Sequence, residues 1–257
     1  MAIDMFESVT NAQRIELAKA KMEKVIDHFL YILELHANNK FIIYSPILSR
    51  QIPTSYAANA FNVFQRGMHQ IEIVRLCALW DSADLQKENI PTVVELIDDT
   101  AIIQALADET RDHWVRQPVR VLTPPHSERV VAAIEQQMAR DSNIHFGNEQ
   151  AAKAKTELLQ AIANARAVLS SNILMGVMNL RDKHLAHSLT ETRREKKGPV
   201  PPMRYGDETA LIMNSTPIIE HLFCWVNGKS FSIADSERID DENAAALWKG
   251  VKFTEVD

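Results

Sequence analysis

Apolar residues recur at intervals of three and four along most of the chain, the period of helices that bury one face. After Thr10, the residues Ile15, Ala18, Met22, Ile26, Phe29 and Leu33 share one stripe, and Thr10 with Gln13 has the form of a capping box. This predicts a long first helix to about His36, stopped by Asn38 and Asn39. Residues 41–45 (FIIYS) are the most strand-like run, but Pro46 and Pro53 make a covering loop the better reading. A second long helix is expected over about 55–80, with Phe61, Phe64, Met68, Ile71 and Val74 on one stripe, followed by a loop over 81–87. Asn89 and Pro91 open a further helix through Val94, Leu96 and Ile97, with a second piece over 101–114.

The proline-containing stretch 118–125 breaks the pattern. Residues 127–138 read as a helix and 141–148 (DSNIHFGN) as a loop. The longest helical pattern then covers about 149–187, roughly 57 Å if unbroken, with Gly176 its internal weak point. A charged, proline-rich connector follows over 190–205 (TETRREKKGPVPPMRY). Leu211, Ile218, Leu222, Phe223 and Trp225 mark a helix over 207–226 despite Pro217, and a short terminal helix is expected near 240–248. No internal repeat of 20–50 residues stands out. The sum is an all-α fold: one domain over 1–257, a bundle of long antiparallel helices with its core over about 12–227 and a short extension over 228–257.

Composition narrows the chemistry. The 257 residues are 46% hydrophobic and 24% charged, as in an ordinary globular protein. There are only seven glycines, and the closest pair, Gly198 and Gly206, is eight positions apart. Dinucleotide fingerprints and P-loops need glycines two to five apart so that backbone amides can close on phosphate, and neither can form. The formal net charge of -6 excludes a globally basic surface, so nucleic-acid binding would rest on a local patch. Cys77 and Cys224 lie in apolar stretches, which suits free thiols in a reducing compartment. No apolar stretch of about 18 residues and no leader pattern is evident, so a cytoplasmic protein without membrane partners is expected.

Several catalytic signatures have no residues: there is no H-E-x-x-H, C-x-x-C or G-x-S-x-G, and no pair of Glu-x-x-His segments for a dimetal bundle. Asp98-Asp99, Asp108-Glu109 and Asp240-Asp241-Glu242 read as solvated helix termini. The exception is Arg181-Asp182-Lys183-His184-Leu185-Ala186-His187, at the end of the longest helical pattern. Arg181 offers a planar fork for phosphate oxygens, and His184 or His187 can gain and lose a proton near neutrality. On an ideal helix Arg181 and His184 lie about 60° apart, whereas Arg181 and His187 lie about 120° apart and converge only if the helix ends or bends between them. Two other Arg–His pairs share the spacing, Arg120/His126 across Pro124-Pro125 and Arg140/His145 in the expected loop. The plain alternatives are dipole compensation by basic residues at a helix end, with Asp182 pairing locally, and a zinc site at His184 and His187, for which no further ligands are identifiable.

This heptapeptide resembles the motif of the HEPN superfamily (higher eukaryotes and prokaryotes nucleotide-binding), in which Arg, a polar residue and a later His are filled here by Arg181, Asp182 and His187. The wording Arg-Asp-Lys-x-x-Ala-His, with Arg75-Leu-Cys-Ala-Leu-Trp-Asp81 upstream, is most similar to the abortive-infection-U branch, over roughly 12–227. The resemblance implies a helical bundle, a homodimer that brings two motifs to one cleft, and a metal-independent endoribonuclease with no cofactor, in phage defence or a toxin system. RNA, such as tRNA or mRNA, would be its substrate, and an antitoxin or regulatory protein a possible partner. In that chemistry Arg181 neutralises the phosphoryl oxygens, His187 transfers the proton, Asp182 orients Arg or His, and His184 competes with His187. Lys183 and the connector cations Arg193, Arg194, Lys196, Lys197 and Arg204 would hold the phosphate backbone, and Tyr205 would stack on a base. Asp81 is expected to cap or pair locally. A catalytically silent HEPN-like binding or interaction bundle, and a plain helical scaffold, use the same residues without cleavage.

Overall fold

In a computed structural model, which describes residue 6 and residues 8–52, 56–118 and 129–252, helix α1 (Asn11–Asn39) starts at the expected capping box. The Thr10 hydroxyl accepts the Gln13 N–H at 3.4 Å, and the Gln13 amide oxygen accepts the Thr10 N–H at 3.0 Å. The α1 stripe of Ala18, Met22, Val25, Phe29, Ile32 and Leu33 is buried. Around it pack α3 (Tyr56–Leu79), α4 (Ile90–Ile97), α8 (Asp207–Asn227) and α9 (Ile233–Gly250), reached after a short α2 (Pro46–Gln51). α5 (Thr100–Val115) lies along α6 (Arg129–Leu169), which places Ala154, Leu158, Ala161, Ile162, Ala165 and Val168 in the same core before α7 (Asn172–Leu180). Losing one large core side chain such as Phe29 costs about 3–5 kcal/mol. The fold is all-α, with no strand among the described residues.

Caps at the short helices follow the sequence. Asn89 accepts the Thr92 N–H at 2.9 Å ahead of Pro91, and Asp99 accepts the N–H groups of Ala101 and Ile102 at 2.7 and 3.2 Å. Elsewhere tertiary contact overrides local reading. The stripe expected on α3 is not its core face: Phe64, Ile71 and Val74 are exposed, and Ile73, Leu76, Cys77 and Leu79 are buried instead. Asn39 is the last residue of α1 but does not end the helical course; it is fully buried and donates to Glu72, which also binds His36 Nδ1 at 2.7 Å. The run 41–45 is neither strand nor loop but a π-helical turn (Lys40–Tyr44) that continues α1 and buries Ile42.

The expected loop 141–148 lies inside α6, whose 41 residues continue from Arg129 to Leu169. Gly147 does not break it: a Cβ there would meet the Arg111 carbonyl at 3.0 Å, so the glycine lets α5 and α6 approach closely. The long pattern 149–187 does break, but at Ser170-Ser171 rather than at Gly176, and the axis turns by 55°. Ser170 bonds back to the carbonyls of Arg166 and Ala167, while Ser171 caps α7 by accepting the Leu174 N–H at 3.1 Å, so side chains replace helix bonds. The terminal helix α9 is longer than 240–248, running from its cap at Ser232. The acidic clusters are mostly engaged: Asp98 pairs with Arg166, Glu109 with Lys19 at 2.7 Å and Asp241 with Lys40 at 2.8 Å. Asp108-Glu109 and Asp240-Asp241-Glu242 sit within helices rather than at their ends.

Contacts of Trp80, Lys21 and Asn89 fix the end of α3 and the loop after it. Trp80, 1% exposed, donates its indole N–H to Ser215 Oγ at 2.9 Å. Lys21 donates to the carbonyls of Leu85 and Lys87 at 2.8 and 2.9 Å, and Asn89 donates to the Asp81 carbonyl at 3.0 Å. The loop after α3 is thereby tied down beside α7.

Candidate functional site

α7 presents the Arg181 heptapeptide at its C-terminal end. Beyond Leu180 the helix widens into a π turn, Arg181–Leu185, closed by the Ala186 N–H to the Arg181 carbonyl at 2.8 Å. Turns of this kind, which insert a residue into the helical ladder, recur at functional sites. The helix ends there, between Arg181 and His187. The Arg181 Nε and Nη2 groups donate to Asp182 Oδ1 at 2.8 and 2.7 Å, leaving three of the five guanidinium N–H bonds for a ligand. Asp182 Oδ2 receives Arg194 from the connector, so one carboxylate joins two guanidiniums. His184 and His187 are exposed and form no hydrogen bond or ion pair among the described residues.

The electrostatics converge on this corner. Burial pushes the Cys77 thiol up to about 12, and Arg181, Asp182, Arg194 and Asp81 are the charges near enough to act on it. Burial would lower the Arg181 pKa, but the bond to Asp182 and the charges of Cys77, Asp182 and Asp81 together outweigh it and raise it above its ordinary value. Burial would raise the Asp81 carboxyl, yet the Ser82 amide, Lys87 and Arg181 together hold it below its ordinary range. Asp81 does pair locally, with the Ser82 N–H at 2.9 Å and Lys87 at 3.2 Å, while lying within electrostatic reach of Arg181. Arg75 points elsewhere, over the Tyr31 ring at 5.3 Å.

The connector is folded onto α7. Thr192 and Glu195 form a capping box: Thr192 Oγ1 accepts the Glu195 N–H at 3.1 Å and Glu195 Oε2 accepts the Thr192 N–H at 2.8 Å. Glu195 Oε1 also accepts Lys183 at 2.8 Å and Asn179 at 3.1 Å, and this hydrogen bonding, led by Lys183, holds its carboxyl down to about 2. Gly176 completes the seat, since a Cβ on it would meet the Pro201 carbonyl at 3.0 Å and the Met203 N–H nitrogen at 3.3 Å. The glycine expected to weaken the helix is where the connector crosses it.

Of the cations assigned to phosphate, Lys183 is paired with Glu195 and Arg194 with Asp182. Arg193, Lys196, Lys197 and Arg204 are exposed and form no ion pair among the described residues. Tyr205 stacks on His69 at 5.6 Å and meets Tyr44 edge-on, though it stays largely exposed. The Arg140/His145 pair lies on the exposed part of α6, with His145 held by Glu149 at 3.2 Å; Arg120 and His126 lie outside the described residues. Asn179, Thr192 and Glu195 were not singled out from the sequence, although Thr-x-x-Glu over 192–195 is a legible capping signature. Both cysteines are free, no group of three or more His, Cys, Asp or Glu among the described residues is placed to hold a metal ion, and no single described helix is long and apolar enough to cross a membrane.

No curated protein and no solved structure matches the chain. A family model does: residues 19–245 match the HEPN AbiU2 family. That match spans α1 to α9 and includes the Arg181 turn and the connector folded against it. The chain therefore belongs to the AbiU2 family of HEPN proteins.

Proposed function

We propose that this protein is a metal-independent endoribonuclease acting in phage defence or a toxin system. The observation that carries the reading is the end of α7, where Arg181, held by Asp182, is followed closely along the chain by two exposed imidazoles, His184 and His187, that form no ion pair among the described residues. His187 takes the proton of a ribose 2′-OH, and the freed oxygen attacks the adjacent phosphorus. Arg181 neutralises charge on the phosphoryl oxygens as the bond to the 5′-oxygen breaks. The 5′-oxygen takes a proton from water and His187 gives its own back to solvent, leaving a 2′,3′-cyclic phosphate and a 5′-OH. His184 competes with His187 for the proton transfer. Arg193, Lys196, Lys197 and Arg204 supply unpaired positive charge for the RNA backbone. A homodimer would bring two such motifs to one cleft, and an antitoxin or regulatory protein would restrain them.

The Arg181–Asp182 pair also favours a second reading, in which a guanidinium held in place by a carboxylate binds RNA or a nucleotide, or seals an interface, without cutting. One experiment separates them. Purified protein is incubated with a mixed RNA pool and EDTA, alongside Arg181→Ala and His187→Ala. Cleavage to cyclic-phosphate ends by the unmutated protein alone supports the nuclease; binding without cleavage supports the second reading. Equal cleavage by all three sinks the assignment of the site.

A further inference from the structure

The loop after α3, the first turns of α7 and the connector enclose an open cavity of about 610 Å3. Three local features make it. The 55° turn at Ser170-Ser171 swings α7 off the line of α6 and leaves Leu174, Met175 and Met178 as an apolar floor. The close approach at Gly176 draws the connector across as a wall that carries Arg194 and Lys197. The Trp80–Ser215 bond fixes the end of α3 so that Asp81 and Ser82 stand at the rim. The volume falls in the roughly 300–1,000 Å3 range of small-molecule sites, and an apolar floor with a few polar groups is the usual lining of such a site. Arg194 belongs to both places, lining the cavity and binding Asp182 of the Arg181 pair.

We propose that this cavity holds the nucleobase next to the phosphate at Arg181 and selects guanine, an inference that rests on the nuclease reading for its position along an RNA. Asp81 is ionised and accepts only; the Ser82 N–H and Lys87 use part of its roughly four acceptor positions. A base with two donor groups side by side matches what is left. Guanine presents N1–H and N2–H2 on one edge, whereas adenine, cytosine and uracil each present one donor group. Such paired, charge-assisted bonds discriminate between bases by roughly 5- to 150-fold. Met175 and Met178 suit a flat ring, since thioethers pack well against aromatic faces and edges. Lys197 and Arg194 meet the attached phosphate.

The test has two arms. In the first, binding of GMP, AMP, CMP and UMP is measured by calorimetry on the unmutated protein, Asp81→Asn, and two cavity-filling variants, Met175→Trp and Val200→Trp, each checked for native melting. GMP should bind at least about 5-fold more tightly than the others. Asp81→Asn should flatten that preference, and a folded filling variant should abolish binding. In the second, RNA cleaved by the protein is sequenced for the bases flanking each cut, and guanine should dominate one flank. Equal binding of the four nucleotides, no binding, or GMP binding that survives both fillings would overturn the proposal. GMP binding in a protein that cuts no RNA would sink the nuclease and leave the cavity's selectivity standing. Cleavage with no flanking preference and no GMP binding would do the reverse.

Discussion

Gly176 and Gly67 form a matched pair that tests whether the connector is seated on α7. Both lie within helices, so replacing either by alanine removes the same backbone-entropy penalty, a gain of about 0.5–1 kcal/mol. They differ in what the new methyl meets. At Gly67 nothing lies within 4 Å, so Gly67→Ala should stabilise the protein by the full gain. At Gly176 the methyl would press on the Pro201 carbonyl at 3.0 Å and the Met203 nitrogen at 3.3 Å, backbone atoms that cannot rotate away. Overpacking of this kind costs about 1–3 kcal/mol, so Gly176→Ala should lie that far below Gly67→Ala. At roughly 2–4 °C per kcal/mol for a protein of this size, the two melting temperatures should differ by about 2–12 °C. Calorimetry or urea unfolding of both variants measures the gap. If Gly176→Ala is as stabilising as Gly67→Ala, the connector does not cross α7 where described, and the placement of Arg194 beside Asp182 fails with it.

Three other outcomes are expected. Asp182→Ala removes the carboxylate that joins Arg181 to Arg194 and should cost about 1–2 kcal/mol, the Arg194 part discounted because that side chain is 37% exposed; an unchanged melting temperature would show that the guanidiniums do not meet there. The Glu195 carboxyl is held at about 2 against an ordinary 4.5, so its anchoring of the connector is complete above about pH 4.5 and drains away as pH falls towards 2. Pepsin should therefore cut within 190–205 increasingly over that window, and Glu195→Gln should remove the pH dependence that this carboxyl contributes. Cys77, fully buried with its thiol pushed up to about 12, should resist alkylation by iodoacetamide at pH 8 until the protein unfolds, with half-buried Cys224 reacting first; early labelling of Cys77 would mean that the α3–α7 corner opens.

The helices α1, α4, α5 and α8 were legible because their apolar residues recur at helical spacing, and α1, α4 and α5 also because their caps are local: Thr10 with Gln13, Asn89 and Asp99 each bond amides within three residues of themselves. α3 was legible as a helix but not by its buried face, since Phe64, Ile71 and Val74 of its expected stripe are exposed. The Arg181 heptapeptide was legible by its wording. Its setting was not. Gly176 looked like a weak point because a glycine in isolation weakens a helix, and 141–148 looked like a loop, whereas in the bundle Gly176 and Gly147 are each where another backbone comes within contact of a helix. The connector showed only its charges and prolines, not its seat on α7, although its Thr192–Glu195 box was present to be read.

What the sequence determined by itself is therefore the helical class, the ends fixed by local caps, and which side chains could handle a phosphate. Tertiary structure alone decided that Arg194 joins Asp182, that Asp81 lies within reach of Arg181, and that a cavity opens beside them. The physical reason is range. Periodicity and caps act over three or four residues along one helix, but the site is made where the end of α3, near residue 80, meets α7 and the connector, over 172–205, at a place where two serines bend a helix and one glycine leaves room.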